Sequence, residues 1–302
     1  MELSYYFYTD FQTREEIDEF LLEQARKAVE DRADFKISRQ EESEEGEGDT
    51  LDFICKSFCV STNLSFVQDI AKEFDLDVNF RLLISVYPSG GAKFIQFIGN
   101  LLSRATGDAI LLDEHDIKVL ERRRESLAVN NYYFDGDFSN LGLPYANGFY
   151  QKFVLQIDSG NESNDVIQII KPEIINTAND CIAEGKMNLI EDPDLRSEFG
   201  ICWNDFKVDV QKRGKGINHV GQVISISGGH IYTDQHNPGL KVMMNFFKRV
   251  LERFEGDCEL RIKEGYLIRD YREIVLLERT DGVITVNEKA KEKSLLDEVG
   301  LG

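Results

Sequence analysis

The chain is short of the residues that build most recognisable sites, with one tryptophan, four histidines, five cysteines and five prolines among 302 residues. Cys55, Cys59, Cys181, Cys202 and Cys258 are odd in number and repeat no spacing, which fits reduced, buried thiols and argues against a disulfide framework. No apolar run approaches the roughly 18 residues of a membrane-spanning helix. The start, MELSYYFYTD, has neither the basic head nor the apolar middle of a signal peptide, so the expected location is the cytoplasm. Positive charge is scarce as well: 35 Lys and Arg face 55 Asp and Glu, a formal net charge of −20. Such a field repels nucleic-acid phosphates and anionic membranes and favours a basic protein partner.

What is present in quantity is internal repetition. Residues 93–108, KFIQFIGNLLSRATGD, align without a gap with residues 242–257, VMMNFFKRVLERFEGD, and their glycines Gly107 and Gly256 lie 149 positions apart. In the first stretch Phe94, Phe97, Ile98, Leu101 and Leu102 recur at helical spacing. In the second Met243, Phe246, Phe247, Val250 and Leu251 do the same, so each is expected to be an amphipathic helix closed by a Gly-Asp turn. Further on, LERRRESLAVN (120–130) matches LERTDGVITVN (277–287) with an offset of 157, so the second copy is eight residues longer there. The expectation is a tandem duplication, with repeats at 1–147 and 148–302.

Taken in order, Ser4–Thr9 reads as a strand and the stretch from Thr13 as a helix, with Thr13 and Glu16 forming a capping box. Asp34–Arg39 and Leu51–Ser61 read as an antiparallel pair. Between them lies EESEEGEGD (41–49), six of whose nine residues are acidic; this composition requires a solvated loop. Ser65–Phe74 is expected to be a helix capped by Ser65, and Val78–Tyr87 a strand turned by Pro88-Ser89-Gly90-Gly91. Ala109–Leu112, Ile117–Arg122 and Ser126–Val129 follow as strands, and Asp135–Gly148 as the connection. Lys152–Asp158 reopens the pattern. Ile224–Gly229 echoes the strand and glycines before the first signature helix, and Lys289–Val299 ends as a charged helical tail. Hairpin neighbours outnumber strand–helix–strand crossovers. The predicted fold is therefore α+β: two tandem units, each a mainly antiparallel sheet with helices on one face.

Chemistry does not repeat with the fold. His230, Asp234 and His236, in a polar stretch of the second half, are the nearest approach to metal ligands, but the spacing matches no helical His-Glu-x-x-His pattern and has no counterpart in the first half. Cys55 and Cys59 would share one face of a strand as packing residues. Gly214-Lys215-Gly216 lacks the spacing of a phosphate loop. Arg122-Arg123-Arg124 reads as a solvated turn paired to neighbouring acids. Asp108 and Asp257 read as turn-forming aspartates, and Asn130 and Asn287 recur at strand ends. No cofactor and no catalytic set is expected.

The run GDAILL…KVLERRRESLAVNN, after a helix and before Leu143-Pro144-Tyr145, resembles the C-terminal part of immunity proteins from bacterial polymorphic toxin systems. Gly107, Asp108 and Ala109, Leu120 with Arg122, and Asn130 occupy the places of that group's pattern. The second half keeps Gly256, Asp257, Arg279 and Asn287 but has Cys258 for the alanine. The resemblance implies a cytoplasmic, non-catalytic protein that neutralises a toxin by contact, and it carries over no active-site residues. Residues 1–150 hold 15 basic against 29 acidic side chains. The surface expected to meet a basic toxin domain is therefore the loop carrying Glu41, Glu42, Glu44, Glu45, Glu47 and Asp49. The competing expectation is a metal-dependent hydrolase using His230, Asp234 and His236 in a cleft between the repeats.

Overall fold

The structure is a computed structural model. It describes residues 1–29, 35–40, 50–63, 65–163, 165–181, 187–190, 199–203, 206–215, 221–233, 238–264, 272–290 and 293–301. The fold is α+β with largely antiparallel strands, and the chain divides into two compact units. The first comprises Met1–Ala71 and Leu76–Phe149, the second Lys72–Asp75 and Tyr150–Gly302. Among the described residues no helix is long and apolar enough to cross a membrane.

The first unit begins with β1 (Glu2–Phe7), α1 (Arg14–Ala28), β2 (Lys36–Gln40), β3 (Thr50–Ile54), β4 (Phe58–Thr62), α2 (Val67–Phe74) and β5 (Phe80–Val86). It continues with α3 (Gly91–Arg104), β6 (Ala109–Asp113), β7 (Lys118–Arg123), β8 (Ser126–Asn130) and the start of β9 (Ala146–Asp158). Its strands lie in the order β2-β3-β4-β5-β1-β6-β7-β8. β1 is central because it pairs with β5 on one side and β6 on the other. On β8 lie Ala146–Gly148 of β9, in parallel, with Val129 opposite Asn147.

Local chemistry explains these elements. Thr13 and Glu16 form the capping box at the start of α1, each side chain bonding the other's backbone amide. β5 alternates, with Phe80, Leu82, Ile84 and Val86 buried, as a strand facing a core must. α3 buries Phe94, Phe97, Ile98, Leu101 and Leu102. Phe97 meets Phe53 and Phe58 from β3 and β4, with ring centroids 5.9 and 5.2 Å away.

Several readings need correcting. Residues 51–61 are two strands and not one: Cys55 sits in the turn between β3 and β4, its amide bonded to Phe58 O at 3.0 Å. Cys55 and Cys59 therefore do not share a strand. α2 starts at Val67, after Phe66 adopts a left-handed φ of 61°, and Asn63 Oδ1 holds the Ser65 amide. The signature helix ends at Arg104, before Gly107. Gly107 has no left-handed φ; a Cβ there would run into the Tyr8 side chain, so glycine is required by close approach.

The second unit holds the rest of β9, then α4 (Val166–Cys181), β10 (Asn188–Ile190), β11 (Phe199–Trp203), β12 (Phe206–Lys215) and β13 (Gln222–Thr233). α5 (Pro238–Arg253), β14 (Cys258–Glu264), β15 (Arg272–Thr280), β16 (Val283–Val286) and α6 (Lys293–Glu298) complete it. Its strand order is β10-β11-β12-β13-β9, continued by β14, β15 and β16. β9 has the position in this unit that β1 has in the other. Met243, Phe246, Phe247, Val250 and Leu251 of α5 are buried in a core with Phe153, Leu155 and Ile157 of β9 and Ile167, Ile170 and Ile174 of α4. Pro172 lies inside α4. Ser227-Gly228-Gly229 belongs to β13 and is not a turn; the missing Cβ of Gly229 makes room for the Tyr150 hydroxyl.

Candidate functional site: a repeated lock and an acidic half

The residues that recur in sequence meet in space, and they do so in the same way within each unit. Arg122 is buried. Its Nε donates to Gly107 O at 2.7 Å and its Nη1 to Leu102 O at 2.6 Å. In the second unit Arg279 Nε donates to Gly256 O at 2.9 Å and Nη1 to Leu251 O at 2.7 Å. Leu102 and Leu251 lie in the last turns of α3 and α5, where carbonyls lack intrahelical partners and the helix dipole is negative. A guanidinium with several fixed donors satisfies both needs at once. Arg122 is thus no solvated turn residue. Arg123 of the arginine run has the expected local acid, Glu121, at 2.9 Å; Glu121 also receives the buried Lys118 ammonium at 2.8 Å.

The aspartates tie the other end. Asp108 Oδ1 accepts the Arg124 amide at 2.9 Å and its Oδ2 the Asp77 amide at 3.1 Å, while Asp257 Oδ1 accepts the Asp281 amide at 2.9 Å. Arg124 and Asp281 sit at hairpin tips with left-handed φ of 53° and 51°. Each aspartate therefore fastens a helix exit to a distant hairpin, which replaces the local turn role expected of it.

The asparagines answer a backbone irregularity. Between β6 and β7 the register slips, so that Val119 is an extra residue between Leu120 and Lys118; between β14 and β15 the extra residue is Leu276. A bulge leaves ladder groups unpaired. Asn130 Nδ2 donates to Lys118 O at 3.0 Å and Asn287 Nδ2 to Val275 O at 2.8 Å, the carbonyl just before the bulge in both units. Each asparagine also receives an amide two residues on, from Tyr132 and from Lys289.

Burial disfavours the charged form of three thiols. It pushes the Cys181 thiol up to about 11 and raises those of Cys59 and Cys258. Burial also raises the Tyr5 hydroxyl and lowers Arg122, the latter opposed by Tyr5 and Asp108. Asp113 is engaged throughout: its Oδ1 takes the amides of His115 and Ile117, and its Oδ2 the Tyr133 hydroxyl at 2.8 Å.

Glu41, Glu42, Glu44, Glu45, Glu47 and Asp49 lie outside the described residues, as do Asp234, His236 and the His230 side chain. The flanks of the acidic segment are described. β2 and β3 pair antiparallel with Gln40 opposite Thr50, so residues 41–49 join the two strands of a hairpin. Among the described residues no group of three or more His, Cys, Asp or Glu side chains could hold a metal ion. No family model matches the chain, and no curated protein or solved structure matches it.

Proposed function

We propose that this chain is a non-catalytic binding protein of the immunity type, acting in the cytoplasm to neutralise a basic toxin domain by direct contact, and built from two tandem copies of one α+β unit. The observation that carries the binding reading is the charge of the first 150 residues, 15 basic against 29 acidic, with six acids within 41–49. The repeated Arg, Asp and Asn side chains support it from another side, because they serve backbone carbonyls and amides rather than a substrate. The duplication reading is supported by the shared strand order, by the shared place of the bulge, and by three side chains that make matching bonds in both units.

Rim charges act mainly on association. The test pairs the purified protein with the product of the gene that adjoins its own. Replacing Glu41, Glu42, Glu44, Glu45 and Glu47 by Gln should slow association severalfold at low salt and leave dissociation nearly unchanged. The gap should close near 1 M salt, where the Debye length is about 3 Å. Equal association rates at low salt would remove the steering role. Failure of the neighbouring product to bind, or of co-expression to relieve its toxicity, would remove the immunity reading.

A further inference from the structure

The closing hairpins of the two units differ at their outer edge. β8 is covered by the parallel segment Ala146–Gly148, with Ala128 opposite Ala146, Val129 opposite Asn147 and Asn130 opposite Gly148. Just beyond the strand, Asn131 donates its amide outward to Gly148 O at 2.7 Å. The matching residues of the second unit, by the 157-residue offset, are Thr285, Val286 and Asn287. Among the described strands, β16 pairs with β15 alone.

The bonding of that edge follows from its register. Asn287 donates its amide to Leu276 O of β15 at 2.8 Å. In an antiparallel ladder alternate residues face the same partner, so Thr285 also faces β15, while the amides of Ile284 and Val286 point to the open side. The same parity holds in β8, where Asn131 bonds outward. An exposed edge of this kind is a template for another strand. It carries two exposed apolar side chains, Val283 at 66% and Ile284 at 45%, beside the exposed Thr285. Arg279, opposite Ile284, is buried and bonded to the end of α5, and Glu288 is followed directly by Lys289, so the exposed charges on the paired part of the β15–β16 hairpin itself are the acids Glu278 and Asp281.

We infer that the outer edge of β16 is a strand-addition site that takes an extended, basic segment of a partner protein in parallel, as β8 takes Ala146–Gly148. The site rests on the reading of the units as copies, and the partner's basic character on the binding reading; the outward amides rest on neither. Small residues suit the pairing positions, as Ala146 and Gly148 do on β8. Basic side chains flanking them meet Glu278 and Asp281. Main-chain bonds would supply the affinity and the flanking charges the selection.

The probe is a synthetic peptide with the sequence of residues 145–149, YANGF, carrying two lysines at each end. Titrated into the full chain, it should slow hydrogen exchange of the Ile284 and Val286 amides by about tenfold at saturation, leaving Thr285 unchanged. Ile284→Pro removes an outward donor without touching the β15 ladder and should abolish the protection at Val286; Ile284→Lys, which keeps the backbone intact, should weaken peptide binding by about tenfold through repulsion of the lysines. The same peptide with glutamates in place of lysines should bind more weakly. Unaltered exchange at Ile284 and Val286, or equal binding by Ile284→Lys, overturns the site. Equal binding by the glutamate peptide overturns the basic partner. A concentration-dependent dimer in sedimentation that already protects these amides would assign the edge to a second copy and overturn it too. The peptide assay needs no toxin, so its failure leaves the steering test standing, and failure of the steering test leaves the edge result standing.

Discussion

Arg122 and Arg279 perform one task in different surroundings. Arg279 spends Nη2 as well, donating it to Phe254 O and Gly256 O. Arg122 Nη2 has no hydrogen-bond partner among the described residues, and neither does the hydroxyl of Tyr5, whose charge would interact with it. The residue that matches Tyr5 in the second unit is Leu155: Tyr5 stands opposite Leu111, and Leu155 opposite Leu260. The lock to the helix end thus persists whether its neighbour is an aromatic hydroxyl or an aliphatic chain. What it requires is the pair of carbonyls, because buried carbonyls without donors are costly wherever they occur. What surrounds it is left to packing.

The comparison is tested most severely at the helices that the arginines terminate. Phe97→Ala and Phe246→Ala each remove a fully buried ring and should each cost about 3 to 5 kcal/mol. Because two units need not unfold together, the losses are best read by native-state hydrogen exchange within each unit. A loss near zero at either position would show that the two helix faces are not equivalent.

Next in size are the locks themselves. Arg279→Met strips donors from the carbonyls of Leu251, Phe254 and Gly256, whereas Arg122→Met strips them from Leu102 and Gly107 only. At about 1 kcal/mol or more for each buried group left unsatisfied, both should be clearly destabilising and the Arg279 variant the worse by about 1 kcal/mol. Equal losses would mean that the third carbonyl contributes nothing.

The smallest effect is expected at the difference between the units. Tyr5→Phe removes a buried hydroxyl that has no partner among the described residues, so the variant should be neutral or more stable by about 1 kcal/mol. Tyr133→Phe is the contrast, since that hydroxyl donates to Asp113 and its loss should destabilise by about 1.5 to 3 kcal/mol. A destabilised Tyr5→Phe would show that the hydroxyl serves Arg122 after all.

Periodicity and repetition alone located the two amphipathic helices, their buried faces, the antiparallel character of the strands and the recurring Gly, Asp, Arg and Asn, because these are local patterns written at spacings of a few residues. The use made of the recurring residues was decided by the tertiary structure. Arg122 reaches a carbonyl 20 residues back, and Asp257 an amide 24 residues ahead. Nothing in the neighbouring sequence indicates which backbone group will be left without a partner there. The bulges at Val119 and Leu276 are likewise invisible in composition, and only with them does each asparagine acquire its reason. The sequence around Gly107 suggests a turn former because turns are glycine's commonest use. The glycine is there because the side chain of Tyr8 occupies the space a Cβ would need, and such a crowded approach arises only when strand and helix exit are brought together.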